Sequence, residues 1–218
     1  FRELPRPDPA GRISVAEFEP DRDGSFEREI RRVIALGGGR IGRDFQRPRD
    51  LRSWRLGNDA AGIDAIKVGF IYKPAIVTPV GRSAALNTPE FVNGGDAEIR
   101  NRPALAQAFE TPSGARFIAV INHFKSKGSP CAIPDAGDGQ GNCNVVRTNA
   151  ARELASWLAT DPTGTGDPDV AILGDLNAYG QEDPIQLLEG AGYEDLLESF
   201  QGPEAYSFVF SGQWGYLD

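Results

Sequence analysis

Apolar positions fall into runs along the chain, and three of these runs read as strands. The first is Lys67-Val68-Gly69-Phe70-Ile71-Tyr72, stopped by Lys73-Pro74. The second is Arg116-Phe117-Ile118-Ala119-Val120-Ile121-Asn122-His123, and the third is Asp169-Val170-Ala171-Ile172-Leu173-Gly174-Asp175. Their near-continuous β-branched and aliphatic character predicts strands buried on both faces. Helical spacing follows. Between 147 and 159, the residues Ala151, Leu154, Ala155 and Leu158 share one face. Asp183-Pro184 opens a second helix, with Asp183 as N-cap and Pro184 in the first helical position, and Gly190 or Gly192 closes it. Strands and helices in this order predict sheets covered by helices in a single α/β domain over residues 1–218.

The first quarter departs from this pattern. Residues 1–55 hold 13 of the 19 arginines and no lysine, and only Ile30, Val33, Ile34 and Leu36 keep a helical spacing there. Composition adds bounds. The 218 residues are 40% apolar and 25% charged, as in an ordinary globular protein. No stretch approaches the roughly 20 apolar residues of a membrane helix, so no membrane span is expected. A net charge of −8 argues against coating nucleic acid through a broad basic face. It leaves room for an enzyme that meets phosphate locally through a metal ion. Phe1 opens the sequence, and Asp218 closes it directly after Trp214-Gly215-Tyr216-Leu217. It therefore reads as an internal piece of a longer polypeptide.

The only two cysteines, Cys131 and Cys143, bound the Gly/Asp-rich loop CAIPDAGDGQGNC. This pattern favours a disulfide over two unrelated free thiols. Such a bridge would contribute roughly 3 kcal/mol by restricting the unfolded chain and would indicate a compartment outside the cytosol. With a single histidine in the sequence, a zinc site is disfavoured. Asp135, Asp138 and Asn142 are oxygen ligands at short spacing, and they make Ca²⁺ a possible ligand of the loop without the full EF-hand pattern.

Four short motifs can carry chemistry. In Ile172-Leu173-Gly174-Asp175-Leu176-Asn177-Ala178-Tyr179, a strand end delivers Asp175 and Asn177, two apart and so on the same side of an extended backbone. They suit a hard divalent cation; equally, they suit a turn that needs no ligand. In Asn122-His123-Phe124-Lys125-Ser126-Lys127, the lone His123 meets two lysines and could donate to a phosphate oxygen. A solvated surface histidine is the alternative. Arg102, in Arg100-Asn101-Arg102-Pro103, offers a planar donor fork suited to phosphate. Asp218 could orient a histidine or bind metal, or simply end a strand.

Taken in order, these motifs, together with Ile71-Tyr72-Lys73-Pro74 and the GDGQGNC loop, resemble the endonuclease/exonuclease/phosphatase superfamily, which includes deoxyribonuclease I. The resemblance is closest to its bacterial extracellular nucleases. It covers residues 62–218 well and residues 1–55 poorly. It implies a four-layer α/β sandwich of two packed mixed sheets with outer helices, here incomplete at both ends. It also implies a catalytic group of His123, Asp175, Asn177 and Asp218, with Arg102 and Lys125 on the substrate phosphate. Asp218 would orient a general-base histidine in a later Ser-Asp-His motif, so the piece alone is expected to be inactive. Glu17, Asp175 and Asn177 would hold Mg²⁺ or Mn²⁺. The implied protein is a monomeric, secreted or periplasmic nuclease acting on DNA. The competing readings are a sphingomyelinase-type phospholipid phosphodiesterase of the same superfamily and a truncated, non-catalytic binding domain.

Overall fold

A computed structural model describes residues 67–202, 205–210 and 213–216, together with two strands nearer the start. Those are β1 (Ser14–Phe18) and β2 (Arg52–Trp54), which flank β3 (Lys67–Tyr72) in an antiparallel sheet of order β1-β3-β2. The helical spacing at 30–36 falls outside the described residues. The second sheet runs β4 (Thr78–Leu86), β5 (Ala104–Glu110), β6 (Arg116–His123) and β7 (Val170–Asp175). It is mixed, because β4, β5 and β6 are antiparallel while β6 and β7 run parallel. A parallel pair needs a crossover, and here it contains α2 (Asn144–Leu158). The remaining elements are α1 (Pro89–Val92), α3 (Asp183–Gly190), α4 (Leu196–Gln201) and the hairpin β8 (Phe208–Phe210) and β9 (Gln213–Gly215).

Side-chain alternation divides the core into two layers. On one face of the mixed sheet, Ala104, Ala106, Ala108, Ile118 and Val120 pack against Phe91 of α1, Ala150, Ala151 and Leu154 of α2, and Leu188 of α3. The alanines of β5 leave room for the helices to approach closely. On the other face, Leu105, Phe109, Ala119 and Ile121 meet Val68 and Phe70 of β3. Phe109 contacts Phe70 edge-on at 5.6 Å and stacks with Phe117 at 5.9 Å. The fold is therefore mixed α/β, with two sheets face to face and helices over the outer side of the mixed sheet.

Three details differ from expectation. Among the described residues β7 pairs with β6 alone, and all six of its residues are half-buried rather than buried on both faces. Helix α2 starts at Asn144, three residues before the apolar face alone indicates, with Cys143 as N-cap. In α3 the N-cap is Glu182, and Asp183 is already helical. Strands β4 and β5 carry no clear sequence signal. β4 is interrupted by an irregularity between Val80 and Ala84, and β5 is an alanine-rich strand with Gln107 buried in its middle.

Candidate functional site

The parallel register pairs His123 with Asp175 at the carboxyl ends of β6 and β7. By alternation, both side chains leave the face that looks toward the β1-β3-β2 sheet, as Ile121 and Leu173 do before them. Gly174 makes this approach possible. A Cβ there would lie 2.1 Å from the Asn122 carbonyl oxygen, and its φ of +108° is one that L side chains rarely adopt. The Gly-Asp sequence thus has a steric cause. Past the strand, the Asp175 carboxylate accepts from the Asn177 backbone N–H at 2.8 Å, and the Asn177 amide donates to the Phe124 carbonyl at 3.0 Å. Asn177 lies beyond the end of β7 and is left-handed, with φ of 49°, so the extended backbone expected to carry its side chain on the same side as that of Asp175 stops at Asp175; asparagine tolerates this conformation better than most residues.

His123 is buried, and that burial depresses its imidazole pKa to about 4. At neutral pH the ring is uncharged, and it can donate one N–H while accepting at the other nitrogen. Its carbonyl accepts from the Arg102 backbone N–H at 3.1 Å, so the Arg102 segment lies directly beside it. Asn101 is 1% exposed. It donates to the Phe91 carbonyl and accepts from the Lys125 N–H, both at 2.8 Å. Lys125 is buried as well. Its ammonium donates to the Ser126 carbonyl at 2.9 Å and the Ser129 hydroxyl at 3.0 Å. Desolvation, and the charges of Arg100, Arg147 and Arg102, lower its pKa. These cations make a positive cluster in an otherwise acidic chain. Arg100 itself is committed to Asp96 and Glu98.

The disulfide loop lies against this cluster. Cys131 and Cys143 are bridged, with Cα atoms 5.4 Å apart. Asp96, the Arg100 partner, also accepts the Ala132 N–H at 2.7 Å. Burial alone would raise this carboxyl, but the N–H groups of Glu98, Ala132 and Ile133 and the Arg100 guanidinium hold it at about 2. Lys127 reaches across to Glu182 and to the Gln140 carbonyl, and sits 4.7 Å from the Tyr179 ring centre. Of the loop's candidate Ca²⁺ ligands, Asp138 turns back onto Gln140, and the Asn142 amide donates to the Lys127 carbonyl.

Sequence reasoning missed Arg147, Glu182 and Asn101. The available signal for Arg147 was its place on the apolar stripe of α2, four residues before Ala151 and seven before Leu154. A lone arginine on a buried face asks for a buried partner.

The structure brings His123, Asp175, Asn177, Arg102 and Lys125 to one sheet edge. Glu17 falls in β1, opposite Val68, and β1 approaches β7. Asp218 lies outside the described residues. Two residues earlier, Tyr216 lies close beside Gly180, where a Cβ would come 2.6 Å from its hydroxyl. Desolvation and a hydrogen bond to Asp195 raise its pKa. Tyr216, directly after β9, is thus packed on the turn that follows Asp175. As for a metal, the Asp175 carboxylate and the Asn177 amide oxygen are donors of the kind Mg²⁺ takes, one or two carboxylates with the rest water. Among the described residues, no group of three or more acidic, histidine or cysteine side chains is placed to hold an ion.

No protein-family model matches the sequence, and no curated protein matches it significantly. Solved structures do. One is an endonuclease/exonuclease/phosphatase family protein of Bacteroides thetaiotaomicron, with 15% identity over 66% of this chain and 48% of that one, at a TM-score of 0.48. A mannosyl-6-phosphatase of the same organism shows 15% identity over 66% of this chain and 49% of that one, at 0.47. A 2′,3′-cyclic phosphatase, ANGEL2, shows 12% identity over 88% of this chain and 47% of that one, also at 0.47. The chain spans about half the length of these structures. The family named by the first of them is the one that the sequence motifs resemble.

Proposed function

We propose that this chain carries most of a metal-dependent phosphodiester hydrolase site. Its substrate is nucleic acid, with DNA as the preferred reading, and its setting is secreted or periplasmic. The observation that carries the proposal is the parallel pairing of His123 with Asp175. It sets a neutral imidazole and a carboxylate side by side at two strand ends, with Arg102 and Lys125 adjacent. The disulfide is compatible with the extracytosolic setting. The names of the solved structures, two of them phosphatases, agree with phosphoester chemistry.

In this reading His123 donates its N–H to a non-bridging phosphate oxygen, and Arg102 and Lys125 hold the remaining negative charge. Asp175 accepts from the attacking water, and Asn177 fixes the turn from which Asp175 works. As water bonds to phosphorus, it gives its proton to the general-base histidine of the expected Ser-Asp-His motif, the ester P–O bond breaks, and the leaving oxygen takes up that proton. Asp218 is the candidate for orienting the base. Mg²⁺ or Mn²⁺, held by Asp175, Asn177 and Glu17, would screen charge developing on the phosphate.

The test is nicking of supercoiled plasmid with Mg²⁺ by the longer polypeptide that contains this sequence, beside its Asp175→Ala variant and a chelator control. Cleavage that both controls abolish is expected. Cleavage that survives in chelator would sink the metal-dependent reading. A second reading has its own observation. On α4, Leu196 is 56% and Phe200 83% exposed, one turn apart. Such an apolar pair suits a phospholipid phosphodiesterase, and release of phosphocholine from sphingomyelin vesicles, without plasmid nicking, would favour it.

A further inference from the structure

We propose that Arg147 is the positioning residue for Lys125, and that it makes the Lys125–Lys127 strap and the disulfide loop one mechanical unit. The inference rests on the phosphoester reading, in which Lys125 meets the phosphate. Lys125 leaves the sheet on a loop, yet both of its backbone groups are gripped by buried side chains. Its N–H donates to Asn101 at 2.8 Å, and its carbonyl accepts from the Arg147 guanidinium at 3.1 Å. Arg147 is 0% exposed. The same guanidinium donates to the Asn142 carbonyl at 2.7 Å and the Gln140 carbonyl at 3.3 Å, which belong to the disulfide loop. Cys143 stands one helical turn before Arg147, and its carbonyl accepts the Arg147 N–H. The bridge to Cys131 therefore anchors the loop next to the residue that reads its position.

Arg147 has no carboxylate within ion-pair distance among the described residues. Burying a cation against carbonyls alone is costly, and an apolar side chain would fill the space more cheaply. The guanidinium repels Lys125 and lies in the field of three carboxylates, Glu182, Asp135 and Asp175 in order of effect.

The test is a double-mutant cycle on the full chain, using Lys125→Ala, Arg147→Lys and their combination. Lysine keeps the charge and loses the three-way fork. Binding of inorganic pyrophosphate is measured in chelator by calorimetry. Turnover of bis(4-nitrophenyl) phosphate is measured with Mg²⁺. Each single variant is expected to weaken pyrophosphate about tenfold and to raise KM by a similar factor, with kcat within about twofold, and the double variant to match Lys125→Ala alone. Additive losses, or wild-type affinity in Arg147→Lys, would overturn the proposal. Should Arg147→Lys melt early, the Cys131→Ser/Cys143→Ser variant replaces it in the cycle. It loosens the loop without touching Arg147, and additivity with Lys125→Ala there is equally fatal. The two failures separate cleanly. A wild type that binds pyrophosphate non-additively with these variants but cleaves neither diester removes the functional reading and leaves the positioning role. A wild type that does not bind pyrophosphate removes the positioning role.

Discussion

Two loops leave parallel strands at the same sheet edge, and they differ in length, charge and bracing. The loop after β6 is long and closed by a disulfide, and its first residues carry cations, Lys125 and Lys127, braced by Arg147 from α2. The loop after β7 is short and carries Asp175, Asn177 and Glu182, held by a left-handed turn rather than a covalent staple. They meet at the Asn177 bond to the Phe124 carbonyl and at the Lys127–Glu182 pair. The contrast teaches a division of labour. A long loop cannot hold buried cations in place by itself, so side chains from α2 and a disulfide do it. A short loop needs only one permissive glycine and one asparagine.

The strongest way to break the comparison is to neutralise each loop and compare kinetic signatures. Asp175→Asn, which keeps an acceptor for the Asn177 N–H, should lower kcat by about 10³-fold on a phosphodiester substrate. Lys125→Ala should instead act mainly on KM. Steady-state kinetics on both variants decides it, and equal kcat losses would mean that the two loops do not divide the work.

Next in size is Gly174→Ala. The added methyl would meet the Asn122 carbonyl at 2.1 Å in a backbone conformation of φ +108°. A stability loss of about 3 kcal/mol or more is expected from urea unfolding. A loss under about 1 kcal/mol would show that the β6–β7 approach is soft. Reduction of the disulfide should cost about 3 kcal/mol in the same assay. It should speed hydrogen exchange across 125–143 while leaving 174–182 unchanged, because only the first loop is stapled.

How much of this was legible follows the same divide. The short loop was legible in part: the strand ending in Asp175 and a turn through Asn177 were among the readings, but the extended backbone expected to carry both side chains on one side stops at Asp175, and neither the close approach at Gly174 nor the left-handed Asn177 was foreseen. The disulfide was legible because two cysteines flank one turn-rich loop. The bracing of the long loop was not. Arg147, Asn101 and Glu182 act on residues 22, 24 and 55 positions away, and no local pattern records such pairings. β4 and β5 escaped for a different reason. An irregular strand and an alanine-rich one have no marked period, and their burial is imposed by the helices and the second sheet.

His123 sharpens the comparison further. It precedes the long loop, yet burial keeps it neutral, so the cations at this strand end are lysine and arginine alone. As the only histidine of the sequence, it gives an unambiguous imidazole resonance, whose titration midpoint should fall near 4. The unfolded chain takes up its proton first, near pH 6.5. Stability from this group is therefore intact above pH 6.5 and declines as the pH falls toward 4. A midpoint at 6.5 would mean that the ring is solvated and free to charge.

The smallest effect belongs to Asn177, where two substitutions separate backbone from side chain. Asn177→Gly keeps the left-handed turn without strain and loses only the amide bond to the Phe124 carbonyl, so it should cost about 1 kcal/mol. Asn177→Ala loses the same bond and must also hold φ near 49° with a Cβ, adding roughly another 1 kcal/mol. Unfolding midpoints of the two variants at neutral pH give the difference directly. If alanine and glycine are equal, the turn is not what sets Asp175, and the short loop owes its order to the Phe124 contact that joins it to the long one.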